Sequence, residues 1–168
     1  FDFATGNSEV DGIIIDSLTF LMDMFETQYV LNSSNTMAGW SNYAQFFKVL
    51  MQEKVTLFGK PVIVIAHVRD DLDEKNMEMK TAVPIKGSLK NNGVESYFSV
   101  VIASKKVALK HLKDYASPML TITPEEEALG FKYVFQTKIT KDTVNERLRG
   151  PLGLFDTKET YIDNNIQL

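Results

Sequence analysis

Apolar residues along this chain fall into short unbroken runs, separated by longer stretches with helical spacing. The first run, Asp11-Gly12-Ile13-Ile14-Ile15-Asp16-Ser17, places three consecutive isoleucines between turn residues, a pattern that predicts a strand buried on both faces. Residues 18–31 are rich in Leu, Met and Phe and read as helical in part. Asn32-Ser33-Ser34-Asn35 is a loop signal, and either serine or Asn35 can cap the helix that follows. That helix, expected over 37–57, carries Trp40, Tyr43, Phe46, Phe47, Leu50 and Leu57 on or near one stripe and ends at Gly59. A second fully apolar run, Pro61 to Ala66, closes on His67. Strand, helix and strand in about 55 residues predict a right-handed parallel crossover and hence the α/β class.

Beyond His67 the pattern weakens. Residues 68–85 are charged, lack apolar periodicity and read as a long loop. A short helix is expected over 86–95, a third strand over Tyr97–Ser104 and a fourth over 131–138, with an edge strand near 158–162. Residues 105–130 read as an insertion or excursion. Within it Thr123 is placed to cap a helix opened by Pro124. Tyr161–Leu168 reads as the start of a further element.

Composition narrows the chemistry. A chain of 168 residues with 44% apolar and 24% charged residues suits one globular domain spanning 1–168. The absence of cysteine excludes disulfides and thiolate chemistry, and His67 and His111 are too few for a histidine-rich metal site. A net charge of −4 argues against coating nucleic acid by charge alone. Acidic residues gather at 70–78 and 125–127, basic ones at 86–113 and 132–149. No apolar run is long enough to span a membrane, and no signal peptide is visible. The opening Phe1-Asp2-Phe3 reads as the middle of a longer chain.

Four constellations could carry chemistry. Asp16 ends a buried strand, where α/β sheets bind ligands and where an acid can hold Mg²⁺ against nucleotide phosphates, with Ser17 beside it as a further cofactor-binding group; either residue can instead be an ordinary N-cap. His67 ends the next strand and could sense a γ-phosphate, or be an ordinary exposed strand-end histidine. Lys86, Lys90, Asn91 and Asn92 could meet the phosphates of DNA, or be a solvated helix start. Lys138, Lys141 and Arg147 could reach a nucleotide in the same or a neighbouring subunit, or form a basic edge. Lys105–Lys113 could touch nucleic acid but reads rather as a solvated helix face, and Glu125-Glu126-Glu127 reads as a helix first turn, where negative charge suits the dipole.

In this order and spacing, the Asp16 strand, the Trp40–Leu57 helix, the His67 strand, Ile85-Lys86-Gly87-Ser88-Leu89, Gln136-Thr137-Lys138 and Arg147–Phe155 resemble the RecA-like ATPases. They are most similar to the bacteriophage proteins of recombination and single-strand annealing. The resemblance runs from Asp11 to about Asp163. It implies a three-layer α/β fold with a mainly parallel central sheet, partly antiparallel later strands and an incomplete N-terminus. It further implies ATP and Mg²⁺ as cofactors, Asp16 as the metal-side acid, and His67 at the position of a polar γ-phosphate sensor that is commonly Gln. DNA-binding loops would fall at 18–40 and 68–95. Lys138 and Lys141 would lie near the basic residues that cross a filament interface. Single-stranded DNA, self-association into a filament or ring, and a cytoplasmic setting follow from the same resemblance. The phosphate-binding loop G-x-x-x-x-G-K-[ST] and the glutamate that polarises the attacking water are absent from the chain. A non-catalytic RecA-like module, or a helicase or packaging motor, is the alternative.

Overall fold

The computed structural model describes residues 1–165, and only the backbone at Asn91 and Asn92, so positions 166–168 of the expected terminal element lie outside it. The chain is mixed α/β and divides into two compact units, Phe1–Asp71 with Ala82–Tyr97, and Leu72–Thr81 with the chain from Phe98 onward.

The first unit is built on two parallel strands, β1 (Ile13–Asp16) and β2 (Val62–Ile65), paired Ile13 to Val62 through Asp16 to Ile65. A helical crossover connects them. Helix α1 (Leu18–Phe25) starts at Ser17, whose hydroxyl accepts from the Phe20 N–H, and runs on as a π-helical segment, Glu26–Leu31. Its buried positions are Leu18, Met22, Glu26 and Val30. A strict four-residue repeat drifts about 40° per step on a helix of 3.6 residues per turn. The wider i→i+5 turns bring the stripe back over the core.

Helix α2 (Thr36–Val49) behaves the same way. Asn35 is the cap among the three candidates, its side chain accepting from the Ala38 N–H at 3.1 Å. Gly39, Tyr43 and Phe47 are buried, a π segment Leu50–Lys54 follows, and α3 (Val55–Phe58) ends at Gly59 with φ 66°. The expected 37–57 helix is therefore one continuous helical stretch with a widened turn.

Two expectations fail, one in the parallel strands of this unit and one in residues 68–85, which are divided between the two units. Strands β1 and β2 are not buried on both faces. Ile13, Ile15, Val62 and Val64 are half-buried, whereas Ile14 is 66% exposed and Ile63 and Ile65 are exposed beside it. The charged stretch after His67 is not a loop but a hairpin of β3 (Arg69–Asp73) and β4 (Glu78–Ala82). Its turn is held by the Asp73 carboxylate, which accepts from the Lys75 and Asn76 backbone N–H groups, from the Asn76 side chain and from Lys80.

The segment after the hairpin completes the first unit's core with Ile85, Leu89 and Val94. It contains α4 (Leu89–Asn92) and a 3₁₀ turn, Val94–Tyr97, whose Tyr97 ring meets Phe47 edge-on at 5.1 Å.

The second unit holds an antiparallel sheet of β5 (Ala103–Ala108), β6 (Phe131–Gln136) and β7 (Tyr161–Asp163), with β6 central. The mainly parallel sheet expected from the resemblance is thus limited to β1 and β2; the later pairing is antiparallel. The strand expected at 97–104 begins instead at Ala103 and runs through two lysines. Lys105 is tolerated because it pairs with Glu146, and Lys106 because it lies over the Phe131 ring.

Of residues 105–130, expected as an insertion or excursion, 105–108 belong to β5 and 109–130 contribute to this unit's core. Leu112 packs with Val134 and Tyr161, and Leu109, Tyr115, Leu120 and Ile122 surround them. Helix α5 (Leu109–Leu112) starts this segment and α6 (Pro124–Leu129) ends it. Thr123 and Glu126 form a reciprocal capping box on α6, and Gly130, at φ 75°, turns the chain into β6.

Candidate functional site

Register fixes the geometry at the carboxyl end of the parallel pair. Asp16 is opposite Ile65, so its side chain shares the exposed face with Ile14, Ile63 and Ile65. Ser17, which follows through a cis peptide bond, is buried and occupied in capping α1. Its hydroxyl is committed to the helix; Asp16 is the residue turned to solvent.

His67 stands two residues past Ile65 and is exposed. Its backbone N–H donates to Thr19 Oγ1 at 3.0 Å, and its ring meets Phe20 edge-on at 5.3 Å. Thr19 and Phe20 are the first turn of the helix that begins just after Asp16. One short junction therefore holds both sequence candidates at the same sheet end. Neither Thr19 nor Phe20 was visible as a site residue, because a threonine and a phenylalanine in a helix first turn carry no signal of what they will touch.

Phe20 also borders an apolar cleft of about 670 Å³ along α1, lined by Met24, Phe25, Tyr29 and Phe46 with Asp23 at its rim. The Phe25 and Phe46 rings stack at 4.6 Å, and Tyr29 lies 4.8 Å from Phe25.

Lys86 is placed in the first unit as a partner of the helical bundle. Its ammonium lies 2.6 and 2.9 Å from the two carboxylate oxygens of Glu26. The backbone at Lys86 also hydrogen-bonds Tyr43, whose hydroxyl pKa is pushed up to about 12, chiefly by burial and further by the charges of Glu26 and Asp23. Gly87 follows at φ 63°, and a Cβ there would stand 3.4 Å from the Trp40 ring. Lys90 lies on α4, close enough to Asp71 to help hold that carboxyl below its usual range, after the larger effect of Arg69. The side chains of Asn91 and Asn92 lie outside the described residues.

Lys138, Lys141 and Arg147 belong to the second unit, on the segment after β6. Lys141 and Arg147 are exposed and Lys138 is half-buried. Beneath them is a network that the sequence did not reveal. Gln136 is fully buried; its Oε1 accepts from Lys105, and its Nε2 donates to Lys138 O at 2.7 Å and to Thr143 Oγ1 at 2.8 Å. Lys105 also pairs with Glu146.

Among the described residues no group of three or more His, Asp or Glu side chains could hold a metal by itself. Asp16 is a single hard oxygen donor. That suits Mg²⁺, which commonly takes one or two carboxylates and completes its shell with phosphate oxygens and water. Among the described residues no helix is long and apolar enough to cross a membrane.

Comparison with protein-family models, with curated proteins and with solved structures returned no match.

Proposed function

We propose that residues 1–168 are the acid-and-sensor portion of a RecA-like, DNA-dependent ATPase that acts on single-stranded DNA in recombination or repair. The observation that carries this reading is the junction at the end of β1 and β2. An exposed aspartate and a histidine end neighbouring parallel strands, where open α/β sheets place their ligands. Mg²⁺ bound there would neutralise charge on the nucleotide phosphates. Asp16 would hold that ion, directly or through water, and His67 would face the terminal phosphate with its backbone fixed by Thr19.

The phosphate-gripping loop is missing from the sequence, so on this reading it is contributed from outside residues 1–168. The exposed Ile14, Ile63 and Ile65 give such a segment an apolar face to cover. Lys138, Lys141 and Arg147 would act on a nucleotide phosphate, in the same subunit or in a neighbour of a filament or ring. Lys86 and Lys90 would meet DNA, and the host cytoplasm would be the setting.

The test is single-turnover ATP hydrolysis by the full-length parent protein, with and without single-stranded DNA, for wild type and Asp16→Ala. DNA-stimulated hydrolysis abolished by Asp16→Ala is expected. Hydrolysis that survives the substitution removes Asp16 from the site. No hydrolysis under any condition leaves the non-catalytic module.

A further inference from the structure

Strand β6 carries aromatic side chains at every second position, Phe131, Tyr133 and Phe135. Alternation puts all three on one face of the sheet. Register then assigns the rest of that face. Ala108 is opposite Phe131, Lys106 opposite Tyr133, Ser104 opposite Phe135, and Ile162 lies on the far side of Phe135. Tyr133 is 58% exposed, Lys106 and Ser104 are exposed, and Phe131 and Phe135 are half-buried.

Charge is divided between the two faces. Lys105 and Lys132 belong to the inner face, where Glu146, Glu126 and Asp163 pair with them. The strand residues of the outer face include no carboxylate. Their one cation, Lys106, lies 3.8 Å over the Phe131 ring. The unit that carries this face is itself balanced, with 12 Asp and Glu against 12 Lys and Arg.

We infer that this outer face binds single-stranded nucleic acid, with bases stacked on Tyr133 and its aromatic neighbours and Lys106 beside the backbone. The Phe131 and Tyr133 rings stand 5.8 Å apart, centre to centre, and at 89° to each other. Successive bases within a strand of duplex DNA lie parallel, at a step of roughly 3.4 Å. Bases stacked on successive rings must therefore be splayed apart, which a single strand permits and a duplex does not. The cleft along α1 is also aromatic, but no Lys or Arg lines it and Asp23 sits at its rim, so it lacks the charge for the same ligand. The inference does not rest on the nucleotide reading of Asp16.

The test uses residues 1–168 and a fluorescein-labelled 20-nucleotide oligothymidylate, without nucleotide or Mg²⁺, in a fluorescence anisotropy titration across a salt series. Tyr133→Ala is expected to weaken binding about fivefold or more, and Tyr133→Trp to preserve it. Lys106→Ala should reduce the salt slope by about one. Photo-crosslinking to an oligonucleotide carrying 5-iododeoxyuridine should map to Tyr133 or Phe131. No binding at low salt, or equal binding by Tyr133→Ala, overturns the inference. So does loss of binding in Lys86→Ala/Lys90→Ala with Tyr133→Ala unaffected, and that result leaves the Asp16 hydrolysis assay untouched. Tyr133-dependent dimerisation without oligonucleotide binding would assign the face to a second copy of the chain and overturn the inference as well.

Discussion

The ammonium of Lys86 and the carboxylate of Glu26, 60 residues apart in sequence, meet at 2.6 Å. The two ends of this pair are unequal: the Glu26 side chain is 11% exposed and that of Lys86 is 54% exposed. Removing one end is therefore not equivalent to removing the other. Lys86→Ala leaves a carboxylate in a poorly solvated place and should cost about 1–3 kcal/mol. Glu26→Gln leaves an ammonium that water can reach and should cost about 1 kcal/mol or less. Urea denaturation of both variants checks the order, and equal losses would show that Glu26 is solvated without its partner.

Gly39 is where α2 comes closest to the π-helical end of the preceding helix. A Cβ there would lie 3.0 Å from Val30 Cα and 3.2 Å from the Tyr29 carbonyl oxygen. Both are backbone atoms, which do not give way as a flexible side chain would. Gly39→Ala is therefore expected to destabilise the protein by about 1–3 kcal/mol, although alanine is the better helix former. A thermal midpoint at or above the wild-type value would mean that the two helices can separate without loss.

Tyr43 sets an alkaline limit. Its hydroxyl pKa is raised to about 12 in the folded protein, mainly by burial, against an unfolded value near 10. A raised pKa means that the folded state holds the proton more tightly. The associated stability is complete below about pH 10 and is lost as the pH climbs toward 12. Urea midpoints of wild type and Tyr43→Phe, compared from pH 9 to 12, should diverge in that window, with the wild type falling faster. Parallel curves would remove Tyr43 as the cause.

At the tip of the hairpin the sign is opposite. Lys80, then Asn76, hold the Asp73 carboxyl down at about 2. The folded form keeps this carboxylate ionised, so the turn's bonds are present above the usual carboxylate range and fail as pH falls through about 2. A carboxyl-carbon NMR titration should find that midpoint, and Lys80→Ala should raise it toward about 3.9. An unshifted midpoint in the wild type would show that the turn is not held by Asp73.

That Asp16 and His67 fall at the same end of the parallel pair was legible because two unbroken apolar runs joined by a helical stretch admit few arrangements, and each run is followed by a polar residue. The openness of that sheet was not legible. Ile13-Ile14-Ile15 reads the same whether one face is covered or two, since composition does not say what lies opposite. The 69–82 hairpin was hidden for a related reason: it is fixed by one carboxylate gathering donors at a turn, with no apolar alternation to announce it. Strand β5 was misplaced because lysines at 105 and 106 look like a solvated face. Their partners, Glu146 and the Phe131 ring, lie 41 and 25 residues away.

Gln136 has a consequence for the cations beyond it. The segment that carries Lys138, Lys141 and Arg147 is moored at its root by the buried amide, through Lys138 O and Thr143, and again by Lys105 through Glu146. The Asn145 carbonyl also receives the Thr81 N–H at 3.3 Å. A segment tied down at these points offers its cations little reach beyond the length of their own side chains, so an anion that meets Lys138, Lys141 and Arg147 together has to come to them.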